Sequence, residues 1–234
     1  MKIGEKSALL RRGCDLGAFC VLLALASGCE LLRPAASSSL PGFYALDNGL
    51  KAPLTPAREP PVGAPTLAVS IPRAAPGFDS RRIIYVRQQH ELEYFAHSEW
   101  IDTPARMLST LVVSSIESQG AFRAVVSSPS SASGDLRLDT EILQLQHEFT
   151  QAPSRVRFTL RADIVEDASR RVVASHDFES VISAESESPY GGVIAANQAV
   201  KDVLEKLSAF CVEAATNWRV AKSKGPRANR TSNE

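Results

Sequence analysis

Four cysteines, four histidines and a scatter of carboxylates are the groups in this chain that could do chemistry, and Cys29 stands apart from the rest. It follows the small residues Ala26-Ser27-Gly28, which close an almost wholly apolar run beginning at Leu16. A thiol so placed can be acylated and, after cleavage between Gly28 and Cys29, become a mature N-terminus held by a lipid. Cys14 and Cys20 lie upstream of that cleavage point. Cys211 falls on the apolar side of a helical repeat with Leu204, Leu207 and Ala214, where a free cysteine behaves as a small hydrophobe. One thiol would then remain in the folded part, and no intrachain disulfide would form.

The other reactive groups do not assemble into a known pattern. His90, His97, His147 and His176 could be ligands, but the run from His90 to His97 lacks a second histidine four residues after the first, and it alternates like a strand. There is no Gly-x-Ser-x-Gly elbow, no Ser-x-x-Lys in the folded part, no phosphate-binding glycine loop and no Cys-x-x-Cys. Tyr190-Gly191-Gly192 reads as a turn ahead of a helix, with anion binding at the helix N-terminus as the alternative use. Glu91, Glu93, Glu99 and Asp102 read as solvated carboxylates. No metal, no cofactor and no catalytic residue is expected.

The elements that would carry these groups begin with a leader. Residues 1–12 carry four basic side chains and the apolar run spans Leu16 to Ala26, about half the roughly 20 residues that a membrane-crossing helix needs. Residues 1–28 therefore read as a secretory signal peptide. The ending Leu25-Ala26-Ser27-Gly28-Cys29 resembles a bacterial lipobox, with alanine where leucine is commoner; cleavage by ordinary signal peptidase at a nearby alanine is the alternative. Glu30 follows the cysteine where an aspartate would favour inner-membrane retention in enteric bacteria, so the expected place is the outer membrane, facing the periplasm.

Residues 29–41 form a lipidated N-terminus and a Ser/Ala/Pro-rich tether, and residues 42–218 the folded domain. Within that domain a proline-broken loop is expected at 48–65. Short strands are expected at Gly42–Leu46 and Thr66–Ile71, then a hairpin with Ile83 and Tyr85 on its first buried face and Leu92, Tyr94 and Ala96 on its second. Asp102-Thr103-Pro104 opens a helix with Leu108, Leu111, Val112, Ser115 and Ile116 on one stripe, and Gly120 ends it. A strand at Phe122–Val126 precedes a serine-rich loop. The apolar set then changes phase at Ile142-Leu143, which predicts a β-bulge in the first of three long antiparallel strands. The second strand turns Val156, Phe158, Leu160, Ala162 and Ile164 inward and Arg155, Arg157, Arg161 and Asp163 to water. A last helix of about 39 Å is expected from Gly192 to Trp218, followed by a disordered tail at 219–234. The fold class is α+β: a single domain with a mainly antiparallel sheet and two helices on one face.

Composition narrows the partners. The 26 basic and 26 acidic side chains balance, and the leader takes four of the former and two of the latter, so the remainder is weakly acidic. That excludes the basic excess of a nucleic-acid binder. Trp100, between the hairpin and the first helix, is expected to be a structural anchor. Arg82 and Arg87 flank one hairpin strand and read either as solvated charges or as partner-facing residues.

With those residues in place the sequence resembles the ABC-type transport auxiliary lipoproteins, the family that includes the lipoprotein of the paraquat-inducible envelope system. The likeness rests on the lipobox, Phe43-Tyr44-Ala45-Leu46, the run from Arg82 to Arg87, Leu92-Glu93-Tyr94, Trp100 and Pro104. It continues through Gly191, Ala196, Asn197, Ala199 and Val200 at the opening of the last helix. The resemblance implies a non-enzymatic envelope lipoprotein anchored by acyl chains such as palmitate. It would work beside an ABC permease and ATPase and a mammalian-cell-entry (MCE) domain protein, moving lipids or other hydrophobic molecules between the inner and outer membranes. Uncovered strand edges leave a homo-oligomer open. A lipoprotein hydrolase and a structural envelope lipoprotein are the alternatives.

Overall fold

The computed structural model describes residues 41–47, 59–129 and 134–224. In chain order they form β1 (Gly42–Tyr44), β2 (Thr66–Val69), β3 (Arg73–Ala74), β4 (Arg82–Val86) and β5 (Glu93–Trp100). Then come α1 (Pro104–Glu117), β6 (Ala124–Ser127), β7 (Leu136–Glu148), β8 (Arg155–Glu166), β9 (Arg171–Ser183) and α2 (Pro189–Lys224). The signal peptide, most of the tether, residues 48–58 of the proline-rich loop and residues 225–234 lie outside the described residues.

Strand β7 is the spine of a nine-stranded sheet. Along one edge it takes three short strands end to end, all parallel to it: β2 at Leu136–Leu138, β3 at Glu141–Ile142 and β4 at His147–Glu148. Along the other edge it pairs antiparallel with β8, which pairs antiparallel with β9. Beyond the short strands, β6 adds parallel to β2, β5 antiparallel to β4, and β1 parallel to β5. The sheet is therefore mixed, which corrects the expected mainly antiparallel sheet. Five of its pairings are parallel, and parallel neighbours must be joined by long crossovers that leave no local turn signal to read. The meander β7-β8-β9 is antiparallel as expected.

The register shift in β7 falls between Ile142 and Gln144, where the apolar phase changes. Leu136, Leu138, Ile142 and Leu145 consequently all reach the core. They meet Phe158, Leu160, Ala162 and Ile164 of β8 in a continuous cluster with the stripes of both helices. α1 buries Leu108, Val112, Ser115 and Ile116. Pro104 opens it after Thr103, whose hydroxyl makes no capping bond, and Asp102 instead reaches Arg106 at 3.2 Å. Gly120, at φ 60°, supplies the left-handed residue that turns the chain away. The helices touch through a buried hydroxyl pair, Ser115 Oγ to Ser208 Oγ at 2.7 Å, with both also directed at the Leu204 carbonyl.

Two expectations need correcting here. Leu92, just before β5, and Tyr94 and Ala96 within it face water, while Ser98 and Trp100 are buried. The pairing of β4 with β5 shifts between Arg82 and Ile84, which re-aims the strand, and the exposed Tyr94 ring is covered by the Arg82 guanidinium at 4.1 Å. The last helix is also longer than its apolar stripe suggests. It spans 36 residues and runs to Lys224, so residues 219–224 are helical rather than part of a disordered tail.

The face of the meander away from the helices is a ladder of charge. Arg157 bridges Glu148 and Glu179, both at 2.7 Å, Arg155 holds Glu148 at 2.8 Å, and Arg161 forks onto Asp177 with two bonds of 2.8 Å. Strand β9 is an edge strand, as β1 and β6 are among the described residues. Lys206 of α2 donates to the Glu179 carbonyl at 3.2 Å, a cation of the kind that blunts exposed edges.

Candidate functional site

The hairpin β4-β5, the end of β7 and the start of α2 gather most of the residues singled out above. Trp100 closes β5 at 3% exposure. Its backbone is clamped to Arg81, with the Trp100 N–H donating to the Arg81 carbonyl at 2.8 Å and Arg81 Nε donating back at 3.1 Å. Arg82 and Arg87 sit at opposite ends of β4 and do not converge. Arg82 lies over Tyr94; Arg87 lies 5.0 Å over Tyr85 and 3.7 Å from Glu93. Tyr85 in turn donates to Glu93 at 2.8 Å, a bond that holds its phenol above the ordinary value. Gly28 and Cys29 lie outside the described residues. Cys211 is fully buried, and desolvation pushes its thiol up to about 12, well away from a thiolate.

The structure also assembles a pair that no sequence pattern announced. His147 Nε2 lies 2.8 Å from Ser154 Oγ, a nucleophile-to-base distance, and the Ser154 N–H donates to Glu187 at 3.2 Å. Sequence reasoning reached His147 only as a candidate ligand and passed over Ser154, because the two meet across the β7-β8 turn and share no motif. Their surroundings decide what they can do. Ser154 is 1% exposed and His147 2%. The cavity beside the imidazole, lined in part by Ile83, Trp100 and Gly192, is about 10 Å³, room for a water at most. Among the described residues His147 Nδ1 has no hydrogen-bond partner, so none of them orients the ring as a general base requires. Burial lowers the His147 pKa, with Glu187 opposing, and favours the neutral ring.

Gly192 explains how the helix approaches so closely: a Cβ there would stand 2.5 Å from His147 Nδ1. The pair is thus a sealed seam between the sheet and the first turn of α2. Nearby, Asn197 fastens the segment after β1 to the same helix, donating to the Ala45 carbonyl at 3.1 Å and accepting the Asp47 N–H at 2.8 Å. His90, His97 and His176 do not join His147. Among the described residues no three His, Cys, Asp or Glu side chains are grouped to hold a metal ion, and no helix is long and apolar enough to cross a membrane.

The model of the ABC-type transport auxiliary lipoprotein component family matches residues 44–208, from the end of β1 to the middle of α2. The chain belongs to that family. Its matched span contains the whole sheet except the first two residues of β1, both hairpin arginines, Trp100 and the His147–Ser154 seam. The fold is shared with a crystal structure of a Xanthomonas campestris protein of family DUF330, at TM-score 0.64 and 23% identity over 76% of this chain and 98% of that one. A second crystal structure, of an uncharacterised protein, aligns at TM-score 0.56 and 10% identity over 74% of this chain and 99% of that one. No curated protein matches this sequence. Family membership ties the chain to a lipoprotein that accompanies ABC-type transport.

Proposed function

We propose that this auxiliary lipoprotein is anchored through acylated Cys29, on the periplasmic side of the outer membrane. There it serves as a non-enzymatic component of an ABC permease and ATPase working with an MCE-domain protein. The cargo is a lipid or another hydrophobic molecule passing between the two membranes. The family match over residues 44–208 carries this reading. The leader with its lipobox-like ending and the Ser/Ala/Pro-rich tether supply the means of anchoring. The sealed Ser154–His147 seam supports a binding role over hydrolysis, because a substrate carbonyl would have no path to the hydroxyl. The membrane-facing half is tested by metabolic labelling with a palmitate analogue and carbonate washing of envelopes. Wild type is expected to label, to lose its leader and to stay in the pellet, whereas Cys29→Ala loses the label and keeps the uncleaved leader. A Cys29→Ala protein that still labels, or that is processed like wild type, would remove the anchor from the account.

A further inference from the structure

A groove of about 570 Å³ opens where α2 ends, remote from the His147 seam. One wall is the loop leading into β2, with Val62 and Pro65; the other is the last turns of α2, with Trp218, Arg219, Val220 and Lys222. Its volume lies within the range of about 300–1,000 Å³ usual for small-ligand sites. The walls combine apolar and cationic side chains. Val62 is fully exposed and Val220 is 46% exposed, an apolar lining left in water.

Beside that lining stand cations. Lys222 Nζ lies 4.5 Å from the centroid of the Trp218 ring, and neither Lys222 nor Arg219 makes an ion pair among the described residues. Arg123 closes the far end. Its guanidinium is fixed by two bonds to Thr66 Oγ1, at 2.8 and 3.1 Å, and by Asp135 at 3.3 Å. The indole is held in turn, since Trp218 Nε1 donates to Glu166 at 2.8 Å, and Glu166 is further engaged by Ser169 and Arg171. The groove therefore has a hydrogen-bonded floor and two cations at its rim, Arg219 without an ion-pair partner among the described residues and Lys222 resting over Trp218 and helping to hold Glu166 charged.

We propose that this groove binds a small amphiphile with a single phosphate or carboxylate head. The head sits between Arg219 and Lys222, and the apolar body lies against Val62, Pro65 and Trp218. A bare anion would leave the valines wet, and a neutral apolar ligand would strip water from the cations without pairing them. Charge-assisted hydrogen bonds to the head and burial of the lining act together only for a molecule that carries both parts.

The test uses residues 29–234 carrying Cys29→Ala, so that neither leader, acyl chain nor detergent competes, and isothermal titration with four probes: octyl phosphate, octanoate, octanol and inorganic phosphate. The two anionic amphiphiles are expected to bind at one site per chain, with octanol and inorganic phosphate each about tenfold weaker or worse. Arg219→Gln and Lys222→Gln, both surface changes, are each expected to weaken the anionic amphiphiles about tenfold and to leave octanol unchanged. Equal affinity for octanol, equal affinity for inorganic phosphate, anion binding indifferent to both variants, or no binding of any probe would each overturn the proposal. A difference between octyl phosphate and octanoate would say which head the site takes. None of these outcomes bears on whether Cys29 is acylated.

Discussion

Trp100 and His147 stand on either side of the small cavity beneath the start of α2, and each is expected to matter for stability rather than for chemistry. Trp100→Ala would remove a side chain that is 3% exposed and leave a hole between the hairpin and the helices. The expected cost is about 3–5 kcal/mol, read from denaturant unfolding of the variant against the parent. Identical midpoints would show that the indole's burial is not what holds this corner together.

His147 makes stability depend on pH, and the sign follows from the direction of its shift. Its folded pKa lies below the ordinary imidazole value of about 6.5, so the unfolded chain takes up the proton first, and the contribution present above about pH 6.5 is lost as pH falls. Thermal melts are expected to drop between pH 7.5 and 5.5, and His147→Gln, which can still reach Ser154, is expected to flatten that drop. A variant whose melting temperature falls as steeply as the parent's would assign the acid sensitivity to other groups.

At the scale of elements, the meander β7-β8-β9 is tied together on its wet face by Glu148. Burial raises the pKa of this carboxyl, and the hydrogen bonds from Arg157, Arg155 and Gln146 more than reverse the effect, so it stays charged well into the acid range. Replacing it by alanine would leave Arg157, with only 21% of its side chain exposed, short of its first partner. A loss of about 2 kcal/mol is expected for Glu148→Ala, and a smaller one for Glu179→Ala, whose side chain is 51% exposed. Equal losses in chemical denaturation would mean that burial does not set the strength of these pairs.

This meander was also the most legible part of the sequence, because its strands follow one another through short turns and every other residue reports the face. Even the bulge at Ile142 could be read, since a slip of one residue moves the whole apolar set to the wrong side unless the backbone absorbs it. The five parallel pairings were not legible. They join segments far apart in the chain, and β3, only two residues long, carries no pattern at all. In β5 the inward face was misassigned because Tyr94 counts as apolar in a periodicity but is served here by a cation in water. The Ser154–His147 seam stayed hidden for a related reason, since it depends on the tertiary closeness that Gly192 allows.

The whole molecule combines a lipoprotein-like leader, a sheet with one packed and one charged face, and a long helix that closes both the hairpin end and the far groove. Anchoring, partner contact and cargo handling would thus fall to different parts of the chain, which fits an accessory of a transporter better than an enzyme built around one cleft. Arg82 and Arg87, at the two ends of β4, one lying over the exposed Tyr94 ring and the other over the buried Tyr85 ring, are the residues proposed to meet a partner. The central claim is association with transport machinery, and affinity purification of the anchored protein from native envelopes, followed by mass spectrometry, tests it most directly. Co-purification of an ABC permease, its ATPase and an MCE-domain protein, reduced for Arg82→Ala/Arg87→Ala at unchanged protein level, is the predicted result. Recovery of the intact lipoprotein without any transporter subunit would contradict it.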